Sequence, residues 1–150
     1  MTAFRFPLQK ALDWRRTQLE LAEARLREQL AALAGIDRAR LELQATGRRT
    51  EVEVRAFQPL EGSDLGALGS FRLRVKVRDR ELALRRVECQ KELSVRQAEV
   101  REARRSSRLL ERLKERRWAE WQAARDRELE ELAADSYLAQ WARRREANQG

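Results

Sequence analysis

The sequence predicts an all-α protein: a long antiparallel two-helix coiled-coil hairpin, with the second helix longer than the first. Three observations carry that reading. From Ser70 to Gln149 the chain runs eighty residues with neither Gly nor Pro, so nothing in that stretch stops a helix. Apolar residues recur at heptad spacing in both halves. The only cluster of chain breakers, Pro59, Gly62, Gly66 and Gly69, lies between those halves.

The composition agrees. Charged residues make up 39% of the 150 and aromatics 6%, the profile of long helices rather than of a compact domain with a large core. As one helix, Ser70 to Gln149 would be roughly 120 Å long at ~1.5 Å per residue. The whole chain is expected to be a single coiled-coil domain.

The first helix is expected over about residues 5–57. Pro7 suits a first turn, where its missing N–H costs nothing and its fixed φ helps. Leu12, Leu19, Leu26 and Leu33 then recur every seven residues, with Leu8, Ala22, Leu30 and Ile36 at intermediate seam positions. Arg15 and Gln29 also fall on the seam, and polar seam residues fix register at a cost in stability. Gly35 costs about 1 kcal/mol relative to Ala within the helix and favours a local bend. Thr50 to Arg55 alternates like a strand, but one short strand without a mate is implausible, so frayed or continuing helix is expected.

The turn is expected at about residues 58–63 and the second helix at about 64–145, either with Ser63 as its N-cap and its two glycines tolerated or with a clean start at Ser70. Its seam runs through Val75, Leu82, Cys89, Leu93, Val100, Ala103, Leu110, Trp121 and Ala124, and Arg86, Arg96, Ser107, Lys114 and Arg117 interrupt it. An even turn near residue 61 opposes positions whose numbers add to about 122. That sets Leu33 opposite Cys89, Leu26 opposite Arg96, Leu12 opposite Leu110 and Phe4 opposite Trp118. The first helix then runs out near Trp118, leaving an unpaired overhang of about 40 Å. Trp121, Leu129, Leu132, Tyr137, Leu138 and Trp141 lie on it, and unpartnered aromatics invite a docking partner.

The residue inventory points away from catalysis. There is no His, one Cys, no Gly-rich phosphate loop and no Ser-centred nucleophile elbow, so no common general base, thiolate cluster or nucleotide cradle is present. No cofactor or metal is expected. Glu130 and Glu131 read as solvated helix face, and Cys89 as a small buried hydrophobe. Trp118 is assigned to packing against Phe4 and Phe6, and Trp141 to docking.

The lone Cys, together with an N-terminus that lacks a basic start and an apolar core, points to the reducing cytoplasm. No apolar run approaches the ~20 residues of a membrane span, so direct membrane insertion is not expected. Net charge is +8, divided at residue 75 into 13 basic against 10 acidic groups and 20 against 15. So even a spread is weak support for nucleic-acid binding.

Several segments together resemble the flagellar export protein FliJ family. They are the opening Phe4-x-Phe6-x-Leu8-x-x-x-Leu12 followed by Arg15, Arg16 and Glu20, and the Asp64-Leu65 and Phe71 re-entry after the turn. Leu109 to Arg117 (Leu-Leu-Glu-Arg-Leu-Lys-Glu-Arg-Arg) leading to Glu130-Glu131-Leu132-Ala133 completes the set. The resemblance runs nearly end to end. It implies a cytoplasmic component at the inner-membrane face of the flagellar base, a two-helix stalk that enters the ring of the export ATPase and touches the export gate membrane protein. Escort of export chaperones is implied as well, and nucleic acid is not expected as a partner.

On that resemblance Arg15, Arg16, Arg112, Lys114, Arg116 and Arg117 belong to the end that enters the ring, while the unpaired overhang assigns Trp121, Leu132, Tyr137 and Trp141 to a docking tail. The chain departs from the family in Trp141-Ala142-Arg143-Arg144-Arg145, which lies past the usual segment. A stalk of the related virulence secretion systems shares the architecture. A basic coiled coil that binds nucleic acid, and a scaffold that dimerises through its tail, are rival classes.

Overall fold

The computed structural model describes residues 2–57, 59 and 61–150. Two helices account for nearly all of them: α1, Gln9–Arg55, and α2, Gly62–Gln149. No strand occurs among the described residues. The fold is all-α, an antiparallel coiled-coil hairpin with α2 the longer arm. No helix among the described residues is long and apolar enough to cross a membrane.

The element bounds differ from expectation at both ends of each helix, α1 closing at Arg55 rather than near residue 57. α1 starts at Gln9, not near residue 5, because residues 2–6 have no regular structure and Pro7 and Leu8 form a turn closed by Gln9 N–H donating to the Phe6 carbonyl at 3.1 Å. α2 starts at Gly62, so Ser63 is not its N-cap. Glu61 takes that role: its carbonyl accepts from Leu65 N–H at 3.3 Å, while the Asp64 carboxylate accepts from the Glu61 N–H at 3.1 Å. This is the returning half of a capping box with Asp in place of Glu, and it also sets a negative charge in the first turn of the helix dipole. At its other end α2 continues past residue 145. Of the expected turn, Gln58 and Leu60 lie outside the described residues. Thr50 to Arg55 is helical despite its alternating pattern, since packing against α2 outweighs a weak strand preference.

The chain divides into two compact units, where the sequence suggested one domain. The larger is Gln18–Ala103, the hairpin around the turn. Its core is one seam: Ala22, Leu68, Leu82, Cys89 and Val100 are buried. Polar contacts cross between the helices beside that seam. Gln29 Nε2 donates to the Cys89 carbonyl at 3.2 Å and to its Sγ at 3.1 Å. Arg86 Nε donates to Asp37 at 2.7 Å, and Arg72 pairs with Glu51. Arg40 forks onto Asp79, with Nε to Oδ1 at 3.0 Å and a terminal nitrogen to Oδ2 at 3.3 Å.

The residue numbers of these partners add to between 118, for Gln29 with Cys89, and 123, for Asp37 with Arg86 and Glu51 with Arg72, close to the expected 122. Cys89 therefore meets Gln29, one turn from the expected Leu33. Arg96, expected opposite Leu26, is half-buried and turns back to Glu92 at 3.0 Å and Glu99 at 3.1 Å on its own helix.

The smaller unit combines the segment ending at Thr17 with Arg104–Gly150. Leu12 is its fully buried centre, Phe6 is buried with it, and Ser107 is the buried polar residue, its hydroxyl donating to Glu111 at 3.4 Å. Arg16 Nε reaches the same carboxylate at 3.3 Å.

Two outcomes follow. Leu12→Ala deletes the best-buried side chain and is expected to cost about 2–5 kcal/mol, measured as a lower denaturant midpoint. Asp79 is the second probe. The donated hydrogen bonds from Arg40 hold its carboxyl below the ordinary aspartate range, while Arg40 is pushed up by the same contact and stays protonated. A carboxyl with a depressed folded value gives stability that is present above its unfolded value and is lost as pH falls through the folded one. Asp79→Asn should thus flatten the acid limb of the stability curve, read from denaturant midpoints taken from neutral pH into the acid range.

Candidate partner-binding surface

The smaller unit holds every residue that the sequence assigned to partner contact. It also holds most of the charge. Its 64 residues carry 16 basic and 10 acidic groups, or +6 of the net +8, leaving +2 for Gln18–Ala103. The even spread seen by cutting the sequence at its midpoint is therefore corrected by the fold, which brings Arg5, Lys10, Arg15 and Arg16 together with the Arg-rich stretch of α2.

Within that stretch, residues 104–117, seven basic side chains face two acidic ones. Arg105, Arg108, Arg112 and Arg116 follow one another at three- and four-residue steps, which places them along one face of α2, and all four are exposed. Arg112 and Arg116 make no ion pair with any described residue. Arg117 is exposed and pairs with Glu120 at 3.3 Å, and Lys114 is half-buried. On α1, Arg15 is exposed with its guanidinium 4.9 Å from the Trp14 ring, and Arg16 is partly engaged by Glu111. The six expected ring-contact residues thus lie in one unit, and among the described residues only Arg16 of the six has a cross-helix ion-pair partner.

Trp118 and Trp121 have exchanged the roles assigned to them. Trp118 is half exposed, whereas Trp121 meets Phe4 at a ring-centroid distance of 6.0 Å and donates its indole N–H to the Thr2 carbonyl at 3.3 Å. Arg125 lies 5.5 Å from the same indole. The register has already shifted inside α1: Arg16 meets Glu111, numbers that add to 127, and Phe4 with Trp121 adds to 125, both above the expected 122. An open groove of about 760 Å³ forms along this segment, lined by Phe4, Arg5, Pro7, Arg117 and Trp121 among others. It joins aromatic surface to two guanidinium groups, a lining suited to carboxylate-bearing segments.

Beyond Trp121 every residue of α2 is exposed, including Leu129, Leu132, Tyr137, Leu138 and Trp141. The docking tail thus retains three of its four expected residues as free surface, while Trp121 is engaged within the chain. No group of three or more Cys, Asp or Glu side chains placed to hold a metal ion occurs among the described residues.

No family model matches the chain, and no curated protein or solved structure matches it either.

Trp121→Ala removes both the Phe4 contact and the donor to Thr2. It should release the N-terminal segment at a cost of about 1–2 kcal/mol for a half-buried indole, seen as faster tryptic cleavage after Arg5 with little change in helicity.

Proposed function

We propose that the protein is a non-catalytic stalk, or coupling component, of the flagellar type III protein export apparatus. It acts in the cytoplasm, peripheral to the inner membrane at the flagellar base. The unit that carries both termini enters the ring of the export ATPase, the residues around the turn face the export gate membrane protein, and export chaperones are escorted by the exposed tail. The observation that carries this reading is the concentration of charge: +6 gathered in the unit that holds Arg15, Arg16, Arg112, Lys114, Arg116 and Arg117. The quoted resemblance in Phe4 to Leu12 and Leu109 to Arg117 supports it.

The mechanism asks no chemistry of this chain. Exposed guanidinium groups form charge-assisted, bidentate contacts with carboxylates that line a ring. Arg112 and Arg116 are suited to this because no carboxylate among the described residues pairs with them. A hairpin whose faces differ in charge presents a different surface to each surrounding subunit and so biases their equilibria unequally. A stalk of a virulence secretion system would work in the same way, and neighbouring genes separate the two.

Reversing the charge at Arg112, Arg116 and Arg117 should abolish stimulation of the export ATPase while circular dichroism shows the helices intact. Stimulation that survives the change removes this face from the ring contact. The same stripe of arginines, with Trp118 exposed just beyond it and Trp14 exposed beside Arg15 and Arg16 on α1, favours nucleic-acid binding as the second reading. That reading requires retention on DNA or RNA with log affinity falling linearly in log salt.

A further inference from the structure

The last part of α2 carries a patch that is complementary to itself. At about 100° per residue, Ala134, Tyr137, Leu138 and Trp141 fall within roughly a third of the helix circumference. Tyr137, Leu138 and Trp141 are 68%, 59% and 51% exposed, so this apolar surface is bare in the single chain. Charges border it in a definite order. Glu130 and Arg144 lie on the edge that Tyr137 occupies, and Glu131 and Arg145 on the edge that Leu138 occupies. Arg145 already leans over the rim, its guanidinium 5.2 Å from the Trp141 ring.

In an antiparallel pair related by a two-fold axis, each edge of one helix meets the same edge of its partner. Centred between Tyr137 and Leu138, that arrangement sets Glu130 against Arg144 of the second copy and Glu131 against its Arg145. The reciprocal pairs make four opposite-charge contacts. Ala134 comes opposite Trp141, giving the large indole a small neighbour, and Tyr137 and Leu138 each meet their own counterparts. A parallel pair in register sets opposite edges together, so that Glu130 meets Glu131 of the second copy and Arg144 meets its Arg145, and is repelled.

From this self-complementarity we infer that a second copy of this chain covers the patch, as an antiparallel tail-to-tail dimer. The inference does not depend on the export reading. The pair is weak, since the patch is small beside the ~1,200–2,000 Å² that stable interfaces bury and its ion pairs are solvent-exposed. In the free protein the dimer occupies Tyr137 and Trp141, so any other partner of the tail competes with it.

Sedimentation equilibrium of the full chain, followed over concentration and salt, tests this. The wild type should show a monomer–dimer equilibrium that weakens as salt rises. Glu130→Arg with Glu131→Arg should weaken it about tenfold or more, and so should Arg144→Glu with Arg145→Glu. Mixing those two double variants should restore dimerisation, because each then presents the charge that the other lacks. Circular dichroism checks that the variants, altered only at exposed positions, remain helical. A wild type that is monomeric at all concentrations, whatever else its tail binds, overturns the inference, and so does a mixture that associates no better than its components.

Discussion

Two helices without a third layer can bury only one seam, and this constraint governs the rest of the structure. The described core amounts to Phe6, Leu12, Ala22, Leu68, Leu82, Cys89 and Val100. A seam of heptad leucines tolerates a slip of one turn or one heptad, because each slip replaces Leu by Leu. What forbids the slip here is polar. Gln29 holds the Cys89 carbonyl and thiol, Arg40 forks onto Asp79, and Asp37 and Glu51 hold Arg86 and Arg72. A slip would strand these groups, most of which are half-buried at the edge of the seam. The apolar seam supplies attraction, and the polar rungs supply register.

This division of labour explains which features were legible in the sequence. Leu12, Ala22, Leu82, Cys89 and Val100 could be read as seam because their spacing alone places them on one face. The two-arm topology could be read because the chain breakers cluster once. The residues that interrupt the seam were visible as interruptions, but their remedies were not. Arg86 finds Asp37 across the pair, Arg96 finds Glu92 and Glu99 on its own helix, and Ser107 is buried against Glu111. Choosing among such partners needs coordinates, since a long guanidinium side chain reaches across the pair as readily as along its own helix.

The misses have the same physical character. Pairing arithmetic assumes one constant register, and it failed toward the open end, where Arg16 meets Glu111 and Phe4 meets Trp121. Glu61 caps α2 although Ser63 is the better N-cap by residue type, because Asp64 can return to the Glu61 N–H. The charge of the surface assigned to partners was hidden for a topological reason. A hairpin superimposes the two ends of the sequence, so a midpoint division averages what the fold collects.

The clasp of Thr2 and Phe4 on Trp121 has a consequence for how the molecule assembles. Its hydrogen bond joins residues 119 apart, while the Glu51–Arg72 pair beside the turn joins residues 21 apart. Loop-closure entropy rises by only ~0.6 kcal/mol per doubling of loop length, so forming the clasp first would cost about 1.5 kcal/mol more than forming the near pair first. Contacts near the turn are therefore the cheapest to make from the unfolded chain. Once they exist, each later rung closes only a short additional loop. By loop-closure entropy alone, the tryptophan clasp is the costliest of these contacts to close directly from the unfolded chain.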